Sequence, residues 1–128
     1  MLDEGLAIVA GKVHRRYPPY DPILFRGKID AWEPVPDEDW EGGGLIEVDS
    51  TGFGCVLIDM EVFKKIDKPW FKWTRENGTV IGEDAYFYRA AKQAGLKVFV
   101  DCDVKIGHIA SMVITEESYF AHKFSKSL

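Results

Sequence analysis

The sequence predicts an α/β domain of short strands and short helices, and three observations point there. Apolar runs of strand length recur, as in Cys55-Val56-Leu57-Ile58 and from Leu96 to Val100. Between them, Phe87, Ala90, Ala91 and Ala94 recur at helical spacing, and Gly95 stands where a helix would stop. Hydrophobic residues make up 46% of the 128 and charged residues 29%, a balance that supports a packed core and argues against disorder. The length suits one small domain or one half of a larger one.

Along the chain, Leu6 to His14 reads as a short strand, apolar at first and basic at its end. Tyr17-Pro18-Pro19-Tyr20-Asp21-Pro22 is a loop, because proline fixes the backbone and removes a donor. Asp30 to Gly44 is acidic, ends in three glycines and reads as a mobile surface segment. Leu45-Ile46-Glu47-Val48 reads as a strand and Ser50 to Gly54 as a tight turn. Cys55 to Ile58 comes next as a buried strand, with Cys55 a buried thiol. Asp59 can cap a short helix from Met60 to Ile66, with Val62, Phe63 and Ile66 on one face. Pro69 to Trp73 is an aromatic loop. A helix from about Glu83 to Ala94 leads into a strand from Leu96 to Val100. Asp101-Cys102-Asp103 then reads as a turn, and Val104 to Ile106 as a second strand ending at Gly107-His108. The tail from Glu116 to Leu128 reads as a helix. No internal repeat is present.

The formal net charge is -5, and no Lys/Arg run exceeds a pair. Nucleic-acid binding needs a basic patch to replace phosphate counterions, so it is not expected. Two cysteines without a secretory leader fit a reducing, cytoplasmic setting. The apolar stretch Leu6 to Ala10 is too short to span a bilayer, and no membrane segment is expected in this chain.

Several residues could carry chemistry. Glu83 and Asp84 open a helix, where partial positive charge and unpaired N–H groups favour carboxylates. They cap that helix, or one of them projects into a cleft and accepts a hydroxyl proton. His108 comes after a strand and a glycine; it is a packed or surface residue, or one ligand of a metal whose other ligands lie elsewhere. Trp70, Phe71 and Trp73 surround a loop, and indole faces stack on sugar rings as readily as they fill cores. The strings Asp37-Glu38-Asp39 and Asp101-Cys102-Asp103 could hold a divalent cation, but both read as structural. Thr51-Gly52-Phe53-Gly54 lacks the Lys-Ser/Thr of a phosphate-binding loop.

The order of pieces is itself informative. Tyr17-Pro18-Pro19-Tyr20 precedes Val48-Asp49-Ser50-Thr51-Gly52-Phe53-Gly54, which leads into Cys55 to Ile58. Then come Glu61-Val62-Phe63, Pro69-Trp70-Phe71 and Gly82-Glu83-Asp84-Ala85-Tyr86-Phe87. Ala94-Gly95-Leu96, Val100-Asp101 and Val104-Lys105-Ile106-Gly107-His108 complete the series. From about residue 6 to 110, the chain resembles the C-terminal, acceptor-side half of a family 2 glycosyltransferase of the GT-A fold, a mixed-sheet α/β unit.

That resemblance implies roles for individual residues. Asp84 is similar to the catalytic base of inverting members, and Glu83 would position the acceptor. His108 would join a divalent Mn or Mg ion on the nucleotide diphosphate. Trp70, Phe71 and Trp73 would border the acceptor. The implied partners are a nucleotide-sugar donor and a glycan or other hydroxyl acceptor, with an oligomer formed through the exposed half-domain face. The family's nucleotide-binding half, with its strand-borne Asp-x-Asp, has no counterpart in the sequence. Met1 is therefore expected to mark an internal or truncated start, and the isolated chain to be inactive. Two alternatives stand beside this reading: a non-catalytic carbohydrate-binding or interaction module, and a metal hydrolase using Glu83, Asp84 and His108. The hydrolase lacks the further ligands such sites need.

Overall fold

The computed structural model describes residues 5–126. Strand β1 (Ile8–Val13) is buried at every position. After the proline loop come β2 (Leu24–Arg26), β3 (Glu33–Pro34) and the single-turn helix α1 (Asp37–Trp40). β4 (Leu45–Val48) and β5 (Ser50–Thr51) lead to β6 (Val56–Ile58) and the short helix α2 (Val62–Lys65). A hairpin of β7 (Thr74–Glu76) and β8 (Thr79–Ile81) precedes helix α3 (Glu83–Gln93). Strand β9 (Val98–Ile106) and helix α4 (Glu116–Lys126) complete the described chain.

The main sheet is mixed, with order β4-β9-β1-β6. β1 and β9 run parallel, so both end at the same edge, while β4 and β6 are antiparallel to their neighbours. A parallel pair must be covered on both faces, which is why β1 reads as continuously apolar in its first half. Ile8, Ala10, Val98, Val100 and Cys102 join Phe87, Tyr88 and Ala91 of α3 in one buried cluster. The helix ends as its sequence requires: Gly95 takes φ 82, and its N–H reaches the Lys92 carbonyl.

The α/β class and the mixed sheet are thus present, but several local expectations need correction. The segment from Asp30 to Gly44 holds β3 and α1, with Val35 buried; Arg26 pairs with Asp39 at 2.9 Å and ties α1 to β2. Ser50 and Thr51 are buried strand residues paired with β2, and the chain bends only after them. Cys55 is exposed, the buried thiol is Cys102, and β6 is an edge strand with Leu57 43% exposed rather than a buried strand. The helix after Asp59 shrinks to one turn, although the Asp59 carboxylate does accept the Glu61 N–H at 2.9 Å. Ala94 lies on the exposed side of its helix end, and Tyr88, four residues after Asp84, takes the interior place.

Asp101 to Asp103 is no chain reversal. β9 runs through it, but its pairing with β1 jumps from Gly11↔Asp101 to Lys12↔Lys105, so three β9 residues bulge there. The Asp101 carboxylate accepts the Asp103 N–H across that bulge at 3.0 Å. The local preference for a turn is satisfied within the strand, and the sheet absorbs it.

Candidate active site

Gly82, with φ -72 and ψ 166, is the N-cap residue just before helix α3. The first N–H groups of a helix have no carbonyl one turn back. Asp84 meets this need locally: its Oδ1 accepts the Ala85 N–H at 2.7 Å. Asp84 is half-buried and Glu83 exposed. A Cβ on Gly82 would stand 3.2 Å from Asp84 Oδ1 and 3.5 Å from the Trp73 ring, so the glycine keeps this patch open.

One helical turn further on, Tyr88 is fully buried, and its hydroxyl donates to the Gly52 carbonyl at 3.0 Å. Burial first, and then the Asp84 charge, push its phenol well above the ordinary value, so it stays a neutral donor. Gly52 lies against the end of β1, where an added Cβ would stand 3.2 Å from Val13 Cγ1. The second turn of α3 is thereby fastened to that end of the sheet.

β9 delivers His108 to the same edge. Its Nδ1 lies 2.7 Å from the carbonyl of His14, the residue after β1. A carbonyl only accepts, so Nδ1 carries a proton, and in the neutral ring Nε2 is the acceptor. His14 is fixed by the same logic. Lys12 Nζ donates to its Nε2 at 2.7 Å, and its Nδ1–H donates to the Tyr20 carbonyl at 2.8 Å. Lys12 is only 7% exposed and lies over the Trp40 ring, 4.6 Å from its centre. Lys12, His14 and Tyr88 are not among the candidate residues the sequence offers. The available signals were a lysine inside an apolar strand with a histidine two positions on, and a tyrosine at i+4 from Asp84.

Asp84 and His108 are thus each linked by a short series of contacts to the Val13–His14 stretch. Neither a family model nor a curated protein matches this chain. Among solved structures it is similar to A197 from STIV, at 19% identity and a TM-score of 0.48, over 89% of this chain and 59% of that one.

The other predicted residues divide. Trp70 is committed to packing: its Nε1–H donates to the Ile66 carbonyl at 3.0 Å, and its ring sits 4.8 Å from Phe63. Phe71 stacks on Phe87 at 5.3 Å and stays 45% exposed. Trp73 is 66% exposed and borders Gly82, which makes it the aromatic beside Asp84. Both Asp-x-Asp strings have structural partners, Arg26 for Asp39 and the Gly44 N–H for Asp103.

Among the described residues, no group of three or more His, Cys, Asp or Glu side chains is arranged to hold a metal. His108 therefore belongs to no such group among the described residues. Also among these residues, no helix is long and apolar enough to cross a membrane.

Proposed function

We propose that this chain is the acceptor-side half of an inverting family 2 glycosyltransferase of the GT-A fold. It would move a sugar from a nucleotide-sugar donor to an acceptor hydroxyl. One observation carries the reading: the Tyr88–Gly52 bond, one turn after Asp84, fastens α3 to Gly52 beside the end of β1, and His108, after β9, bonds to the His14 carbonyl just past that same end.

In that arrangement the Ala85 N–H orients one Asp84 oxygen, and the other can take the acceptor's proton. The acceptor oxygen forms its bond to the anomeric carbon as the bond to the diphosphate oxygen breaks. Glu83, exposed beside Asp84, would hold the acceptor, and Trp73 would offer its ring face. A divalent Mn or Mg ion, when bound, would neutralise the diphosphate, with His108 Nε2 as one ligand. The nucleotide-binding half would come from outside these residues. The outer edge of β6, with Leu57 43% exposed, would receive that half or a second copy. The unpaired thiols Cys55 and Cys102 fit a cytoplasmic setting.

The test is Asp84→Asn in a protein that carries the nucleotide-binding half. Transfer is expected to fall by about 10²- to 10⁴-fold with donor binding retained. Near-normal turnover would refute the base assignment.

A second reading, a non-catalytic carbohydrate-binding module, is favoured by one fact: the Ala85 N–H already occupies one oxygen of Asp84. Glycan binding with no response to nucleoside diphosphate plus manganese, in the same longer protein, would select it.

A further inference from the structure

A cavity of about 480 Å³ lies between the loop of residues 27–32 and helix α3. Its wall reaches Ala85, the residue after Asp84, and runs on along Arg89, Lys92 and Gln93. These positions form one stripe of the helix. We propose that this cavity is a saccharide-binding subsite, the seat of a second ring of the acceptor. The placement rests on the transferase reading; the binding itself does not.

The cavity is built rather than incidental. The Gly27 N–H donates to Asp49 Oδ2 at 2.7 Å, and the Ala31 N–H closes a turn onto the Lys28 carbonyl at 2.9 Å. Gly27 takes φ +106, and a Cβ there would stand 2.8 Å from the Ala31 carbonyl oxygen, so only glycine permits the loop. Trp32 lines the opposite wall and is backed by Phe25, with ring centres 5.7 Å apart and planes 21° from parallel. The volume falls within the ordinary range for small-ligand pockets.

The charge pattern names the ligand class. Arg89 is engaged by Glu76 at 2.7 Å, and Lys92 by Asp49 at 3.0 Å, so of the three lining cations only Lys28 is left for a phosphate. Asp30 and Asp49 would repel one. Lys28 and Asp30 have no side-chain partner among the described residues and offer a donor and an acceptor at the rim. A neutral ring with hydroxyls that donate and accept, and a C–H face to lay on indole, meets all of these features.

Amide shifts of the 128-residue chain, tracked by NMR during titration with maltose, cellobiose and chitobiose, test this, with uridine monophosphate as the contrast. Shifts at residues 27–32 and 85–93 are expected for at least one disaccharide. The affinity should drop about tenfold or more in Trp32→Ala, a change of about 1.4 kcal/mol. It should survive Trp32→Tyr, which keeps a stacking ring. The subsite is overturned if none of the sugars moves these amides, if the nucleotide alone does, or if Trp32→Ala binds as tightly as the parent chain. Sugar binding here combined with undiminished transfer by Asp84→Asn in the longer protein would leave the subsite standing and remove only the catalytic base.

Discussion

At Asp84 one carboxylate oxygen is taken by the Ala85 N–H, and the other is what a hydroxyl would meet. An asparagine keeps the accepting oxygen, so Asp84→Asn is expected to leave stability within about 1 kcal/mol of the parent, whereas Asp84→Ala loses the hydrogen bond from the Ala85 N–H and about 1–2 kcal/mol. Urea unfolding of both variants separates the structural from the catalytic contribution of this residue. Tyr88→Phe leaves a buried Gly52 carbonyl without its donor and should cost about 1–3 kcal/mol, read the same way. Asp49 sets a pH dependence. Burial alone would raise its carboxyl, but the Gly27 N–H and then Lys92 outweigh that and hold it below 3.8. The stability this confers is whole above the unfolded value and is lost as pH falls through the lower folded one. Asp49→Asn should therefore flatten the acid loss of stability, seen in urea midpoints measured from neutral pH to below that value.

Among the elements, α3 matters most, because its buried face closes the core and its first turn carries the candidate base. Phe87 meets Phe53, Phe63, Phe71 and Tyr88, and Phe87→Ala should cost about 3–5 kcal/mol in unfolding free energy. The hairpin before it is set by Asn77-Gly78, both at positive φ, a pairing that favours tight hairpin turns and that the sequence carried in plain view. Gly78→Ala puts a side chain into the left-handed region and should cost about 1–2 kcal/mol. A lower thermal midpoint in that variant checks it. The Arg89–Glu76 pair, 2.7 Å across, ties the hairpin to α3. It is exposed enough that its own contribution to stability is small.

At the scale of the molecule, the sheet and α3 form the core, and the segment C-terminal to β9 stands apart from it. Ile109, Met112, Val113 and Ile114 are between 69% and 95% exposed, and α4 is exposed along nearly its whole length. Ending the chain after residue 111 should change the unfolding free energy by less than about 1 kcal/mol, since little buried area is lost. It should also reduce self-association, measured by sedimentation, by removing exposed apolar surface.

Periodicity and punctuation in the sequence determined the α/β class, the span of α3, its stop at Gly95 and the short strands β4 and β6. These are local properties, set by side-chain spacing and by what glycine and proline allow. The same kind of reading named Asp84 and His108 one at a time. Only the tertiary structure decided what was near them. Parallel pairing of β1 with β9 brought His14 and His108 to one edge, and the Tyr88–Gly52 bond carried α3 there, across separations of 94 and 36 residues. Trp70 and Trp73 look alike in sequence, yet one is bound into packing and the other left open. Burial depends on which neighbours the fold supplies, and no spacing along the chain encodes that.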